Sequence, residues 1–201
     1  MTDTKKKKFI VYVGVVGQIA SGKGVLVEHL LKKLGFVSFS LSSILHEELE
    51  KKGIKKFTRK TLQDMGDELR KIEGNEALAR IAIKKLLSQK EKHVVIEGIR
   101  NPGEIEYLKK NPNFILIGVK ASRDIRFKRL LKRAKPWDPK NYADFVKVDR
   151  RDLGVGQVNS GQQVGKCLAY CDYVLTNNKD KKDFENKIEK LMEKVFKLNE
   201  V

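Results

Sequence analysis

In Gly17-Gln18-Ile19-Ala20-Ser21-Gly22-Lys23, two glycines bracket four residues and a lysine follows the second glycine directly. Successive backbone N–H groups in such a loop can form a nest for an anion. The positive end of a following helix strengthens that nest, and the lysine ammonium can reach the outer phosphates of a nucleoside triphosphate. The chemistry these residues offer is triphosphate binding, with Gly17, Ala20, Ser21, Gly22, Lys23, Gly24 and Val25 as the candidate cradle. One part of the pattern is missing. A P-loop usually places a hydroxyl after the lysine to ligate Mg²⁺, whereas Gly24 and Val25 stand here. Mg²⁺ keeps several waters in many phosphate sites, so water-mediated coordination is the expectation. The departure bears on catalysis more than on binding.

Further along, Glu97-Gly98-Ile99-Arg100 ends an apolar run. An acid at the carboxyl end of a buried parallel strand is placed to hold a metal-bound water near the phosphates. Glu97 is therefore the candidate metal residue, acting through water, with a capping or salt-bridging glutamate as the alternative. Arg100 is read as a contact to the accepting phosphate, or as a partner of Glu104 across the first turn of the next helix. Ser40, Ser42 and Ser43 offer hydroxyls to an acceptor, although each also suits a helix N-cap. Arg123, Arg126, Arg129 and Arg133 form a basic cluster, and Arg126, Arg129 and Arg133 share one helical face. Arg150 and Arg151 follow a Pro136-Trp137-Asp138-Pro139 break. This arrangement reads as a lid over about 126–156 that brings guanidinium groups onto a transferring phosphoryl. Its rivals are a solvated basic helix and a nucleic-acid face carrying Trp137 and Tyr142 as stacking platforms.

Strands and helices must alternate to hold these groups. Apolar runs over 9–16, 37–41, 93–99, 113–120 and 173–176 read as strands. Between them, helices are predicted over about 25–31, 43–52, 61–73, 75–89, 123–134, 142–152, 162–171 and 181–198. Asn101-Pro102-Gly103-Glu104 opens a further helix with an N-cap, a first-turn proline and a capping-box acid. The pattern predicts an α/β chain: a three-layer P-loop NTPase fold with a five-stranded parallel sheet, a helical acceptor-binding insertion over about 42–90 and the lid. The whole 1–201 span reads as one domain.

The chain carries 43 Lys and Arg against 26 Asp and Glu, a net charge of +17. Such a surface attracts phosphates, nucleotides and nucleic acids, or simply stays solvated. The basic residues look divided between acceptor and lid, so only weak, nonspecific nucleic-acid binding is expected. No apolar run is long enough to span a membrane. Lys5 to Lys8 lead straight into the first strand, which a cleaved signal peptide would remove. Cys167 and Cys171 lack zinc-type partners and read as reduced thiols of a cytoplasmic protein. The three histidines share no ligand spacing.

The chain resembles the nucleoside-monophosphate-kinase-like P-loop proteins over nearly its whole length. Within them it is similar to small dephospho-CoA-kinase-like proteins of the AAA type and to the kinase-like domain that precedes some deoxycytidylate deaminases. The resemblance rests on the Gly17–Gly24 loop, Ser40-Leu41-Ser42, Thr58-Arg59 with Leu62 to Arg70, Glu97 to Glu104, and Gln163 through Cys167 and Cys171 to Asn177. It implies a purine triphosphate, ATP with Mg²⁺, in the loop, with Lys23, Glu97, Arg129 and Arg133 as catalytic residues. It also implies an acceptor near Ser40, Arg59, Arg70, Arg100 and Arg126, and a donor base bordered by Asn177 and Asn178. Serines stand where dephospho-CoA kinases show an aspartate beyond the second strand, which disfavours dephospho-CoA. The reading reached is phosphoryl transfer from ATP to a nucleotide-like small molecule, with no membrane partner. The alternatives are a non-catalytic nucleotide sensor and a nucleic-acid-associated ATPase or end-kinase.

Overall fold

The computed structural model describes residues 11–89, 93–134 and 138–199. Strand β1 (Val11–Gly17) is buried along its whole length, as a strand covered on both faces must be. It lies at the centre of a five-stranded parallel sheet whose other members are β2 (Val37–Ser40), β3 (His93–Glu97), β4 (Phe114–Lys120) and β5 (Tyr173–Thr176), in the order β2-β3-β1-β4-β5. Strand alternation divides the core in two. Tyr12 and Val16 face one side with Leu78, Ile96 and Leu116, whereas Val11, Val13 and Val15 face the other with Leu26, Leu30 and Phe184.

The second face is covered by α1 (Lys23–Leu34) and α9 (Lys181–Asn199), giving three layers with the sheet in the middle. Gly35, at φ 67°, stops α1 with its N–H donating to Leu30 O, a left-handed cap that suits glycine. Between β2 and β3 the chain inserts α2 (Leu41–Lys51), α3 (Arg59–Glu73) and α4 (Ala77–Gln89). The helix α5 (Pro102–Leu108) carries the predicted cap: Asn101 accepts from Gly103 N–H, and the Glu104 carboxylate accepts from Asn101 N–H. Helices α6 (Arg123–Arg133) and α7 (Tyr142–Leu153) follow β4.

The predicted helix over 162–171 is shorter than its sequence suggests. It comprises α8 (Val164–Cys167) and a single 3-10 turn, Leu168–Tyr170. Gln163, the N-cap, is non-helical at φ −139° and ψ 49°, and its N–H donates to Arg100 O at 2.7 Å. Cys171 is already extended, at φ −67° and ψ 134°, as it leads to β5. Burial pushes the Cys171 thiol up to about 11 and raises that of Cys167 further, so both are poor nucleophiles. The basic run Lys5 to Lys8 and the Pro136-Trp137 part of the proposed hinge lie outside the described residues.

Candidate functional site

The 17–24 loop leaves the centre of the sheet, and its glycines answer specific contacts. A Cβ on Gly17 would lie 2.3 Å from Val119 O of the neighbouring strand, and one on Gly22 would lie 2.1 Å from Asn177 Nδ2. Gly22 also has φ +105°, a conformation other residues adopt only with strain. Ala20 is left-handed too, at φ 57°, and this strain must be held by its surroundings.

Two arginines supply that hold from outside the loop. Arg126 donates to Ile19 O at 3.3 Å. Arg129 donates to Ser21 O at 3.3 Å and to Asn177 Oδ1 at 2.9 Å, while Asn177 Nδ2 also donates to Ser21 O at 3.0 Å. A trans peptide points its N–H opposite to its C=O. Fixing the Ile19 and Ser21 carbonyls on the α6 side therefore turns the Ala20 and Gly22 N–H groups the other way, into the loop. Lys23 Nζ donates to Gly17 O at 2.6 Å and Gln18 O at 2.9 Å, spanning the same concavity. A Cβ at Gly24 would meet nothing within 4 Å.

From Lys23 a cleft of about 950 Å³ runs beneath the carboxyl ends of β2 and β3. Its near end is polar. Glu97 accepts from Ser38 Oγ at 2.8 Å, and the Ser40 and Ser42 hydroxyls lie 2.9 Å apart. Arg100 sits 3.6 Å from Asp152, and Arg133 holds Asp138 through two bonds of 2.6 and 2.8 Å. The far end is apolar, with Leu45, Leu62 and Leu78 beside an edge-on His46–Phe57 pair whose ring centroids are 4.5 Å apart. Gln63 and Gln162 close over it with a 3.2 Å hydrogen bond.

The structure thus brings Lys23, Ser40, Arg70, Glu97, Arg100 and Arg133 to one cleft. Two expectations need correcting. Arg126 does not line the cleft: it is 2% exposed, doubly bonded to Asp149 at 2.5 and 2.9 Å, and stacked 5.5 Å from the Phe145 ring. Its charge is spent inside the α6–α7 junction. Arg129 likewise faces the back of the loop instead of its phosphate side, and burial lowers its pKa without discharging it. Arg70 lines the cleft, but its guanidinium is engaged by Glu104 at 2.8 Å and Asp67 at 3.3 Å. Arg100 pairs with Glu104 only through its backbone N–H, at 2.8 Å. Ser40 occupies the α2 N-cap without a side-chain cap bond. Arg59 opens α3, and its side chain lies outside what the structure describes.

The residues that sequence reasoning missed are Asp149, Asp152, His46, Phe57, Gln63 and Gln162. Asp149, Asp152, Gln63 and Gln162 gain their places from partners far along the chain, and His46 and Phe57 meet across the α2–α3 connection, so no local spacing marks them. Only Glu104 had a local signal, its capping box, and that signal does not reveal its second bond to Arg70.

Comparison with known proteins agrees with this architecture. Residues 16–144 match the model of the AAA domain family. The UPF0200 protein PH1008 of Pyrococcus horikoshii is 32% identical over 187 residues, covering 90% of this chain and 96% of its own. A UPF0200 protein of Sulfurisphaera tokodaii is 32% identical over 184 residues, covering 92% and 97%. Among solved structures, TT1252 from Thermus thermophilus superposes with a TM-score of 0.60 at 18% identity, covering 93% of this chain and 98% of that one. Shikimate kinase from Acinetobacter baumannii in complex with shikimate gives 0.54 at 17%, covering 92% and 94%. The chain belongs to the UPF0200 family and carries an AAA domain with a P-loop kinase-like fold.

Proposed function

We propose that this UPF0200 protein is an ATP-binding phosphotransferase that passes the γ-phosphoryl group to a nucleotide-like acceptor. The observation that carries this reading is the polarity gradient of this cleft, with Lys23, Glu97, Arg100 and Arg133 at one end and Leu45, His46, Phe57 and Leu62 at the other, where the Arg70 guanidinium is neutralised by Glu104 and Asp67. An acceptor with an anionic head and a flat apolar body matches both ends. A small polar acceptor such as the shikimate of the structural neighbour would leave the aromatic end unmatched. Lys23 and the loop N–H groups bind the β- and γ-phosphates. Arg100 holds the acceptor's phosphate, and Arg133, exchanging Asp138 for the transferring group, stabilises its charge. Arg126 and Arg129 act from behind by setting the loop.

Mg²⁺ would supply charge neutralisation between the phosphates. Among the described residues no group of three His, Cys, Asp or Glu could hold a metal ion, yet Glu97 stands at the polar end with the Ser40 and Ser42 hydroxyls, the Asp152 carboxylate there being paired to Arg100. That donor set fits a hydrated ion held through water by Glu97, because Mg²⁺ dehydrates reluctantly.

The test is multiple-turnover product analysis with ATP and Mg²⁺, with and without nucleoside monophosphates. ADP formed in step with a phosphorylated acceptor supports the proposal. ATP bound but never turned over favours the second reading, a nucleotide sensor, for which the missing hydroxyl at Gly24-Val25 speaks. ADP released equally without acceptor indicates an ATPase.

A further inference from the structure

We infer that the outward face of α6, continued onto the loop before α9 and the start of α7, is a docking track for single-stranded nucleic acid. The net charge of +17 is not spread evenly. Between Lys120 and Lys140 there are nine basic and two acidic residues, against six and four in the closing helix Lys181–Asn199. The fold then sorts these cations. Arg126 and Arg129 turn inward to the P-loop and Arg133 to Asp138, as described above. Lys128 and Lys132 stand one turn apart on the exposed side. Among the described residues no acid pairs with either, whereas Lys51 at the end of α2 and Lys60 in α3 are matched to Glu48 and Asp64.

The track extends on both sides of α6. Arg129 Nη2 donates to Lys179 O at 3.3 Å, which holds the loop before α9 against α6; Lys179 itself is exposed and lies 4.0 Å from Asp183. On the other flank Tyr142 packs edge-on to Phe127, with centroids 5.2 Å apart, and remains 44% exposed; Lys140, two residues earlier, is exposed as well. Lys128, Lys132 and Lys140 without an acid partner among the described residues, near a ring braced by Phe127 and tethered at its hydroxyl to Asp124 at 3.4 Å but 44% exposed, are the elements of single-strand recognition: charge follows the backbone, and the aromatic takes a base. A membrane surface would want an apolar strip, and here Leu131, 45% exposed, is the one large apolar residue on the outward side of α6. A strand on this track would cross the back of the donor loop without entering the cleft. The inference therefore stands apart from phosphoryl transfer.

The experiment measures fluorescence anisotropy of labelled 20-nucleotide RNA and DNA single strands with the full chain across a KCl series. Anionic phosphatidylserine vesicles and saturating ATP serve as the comparison arms. Lys128→Glu/Lys132→Glu should weaken single-strand binding at least tenfold and flatten the log–log salt slope by about 0.7 per lost contact. Tyr142→Ala should weaken it about tenfold, by loss of one stacked base. A control of equal net charge, Lys33→Glu/Lys71→Glu, should stay within about twofold of the parent. All variants should keep the parent's melting temperature and ATP affinity. Equal losses in the two double variants, competition by ATP, vesicle binding that exceeds single-strand binding, or no binding at 50 mM KCl (a low salt at which such contacts are strong) would each overturn the inference. RNA bound in preference to DNA, or the reverse, would identify the source of the strand.

Discussion

The P-loop end of the cleft and the end lined by α2 and α3, read above as donor and acceptor ends, are held by different forces. Behind the donor loop, Arg126 and Asp149 are buried and doubly bonded, and Leu130, Phe145 and Ile19 pack around them. Across the roof of the acceptor end, Arg151 reaches Asp64 at 3.5 Å with side chains 35% and 48% exposed, and Gln63 meets Gln162 through one amide bond. A buried bidentate pair fixes one geometry because any other leaves a charge unsolvated. Exposed pairs and single amide bonds exchange with water at little cost. The difference teaches that the 17–24 loop is held by contacts that fix one geometry, while the Asp64–Arg151 and Gln63–Gln162 contacts over the other end cost little to break. The acceptor floor is firmer, since Arg70 and Glu104 are buried together.

The largest effect expected comes from breaking the donor-side pair. Arg126→Met leaves buried Asp149 with only the half-exposed Arg123, 3.3 Å away, as partner and should lower stability by about 3 kcal/mol in urea titration. Arg126→Met/Asp149→Leu should recover part of that loss. A single variant as stable as the parent would mean that the cradle is not held from behind. Next, Glu97→Gln should keep ATP affinity and lose on the order of 10²–10³ in Mg²⁺-dependent turnover, as loss of one transition-state contact does; unchanged turnover would make Glu97 a structural residue paired to Ser38. Lys23→Ala removes charge-assisted bonds and should weaken ATP about 10- to 100-fold by calorimetry, with melting temperature preserved. Equal affinity would remove the loop from the site. The smallest effect is expected at the roof, where Asp64→Asn should change stability by less than about 1 kcal/mol and lose even that in high salt. A larger cost would show that the roof is as rigid as the cradle and would erase the contrast.

The same contrast governs what could be read from the sequence. The donor loop is coded by backbone: Gly17 and Gly22 are demanded by contacts to Val119 and Asn177, and glycine spacing is visible locally. Alternating apolar runs likewise reveal the parallel sheet, because strands buried on both faces leave a continuous signature. The acceptor end is coded by meetings between distant residues, such as Gln63 with Gln162, and no spacing announces them. Arginines were the hardest to place. Helical spacing correctly put Arg126, Arg129 and Arg133 on one face, but only Asp149, 23 positions beyond Arg126, decides that Arg126 braces the loop instead of meeting a ligand.

Gly24 has one more consequence, for design. It lies in the first turn of α1, with nothing within 4 Å of the place a side chain would occupy, and glycine inside a helix costs roughly 0.5 kcal/mol relative to serine. No packing requires this residue. Gly24→Ser would therefore graft the absent oxygen ligand onto a ready-made vacancy while stiffening the helix that carries Lys23. The scaffold is open to a gain in metal affinity at a position where natural P-loops admit only loss.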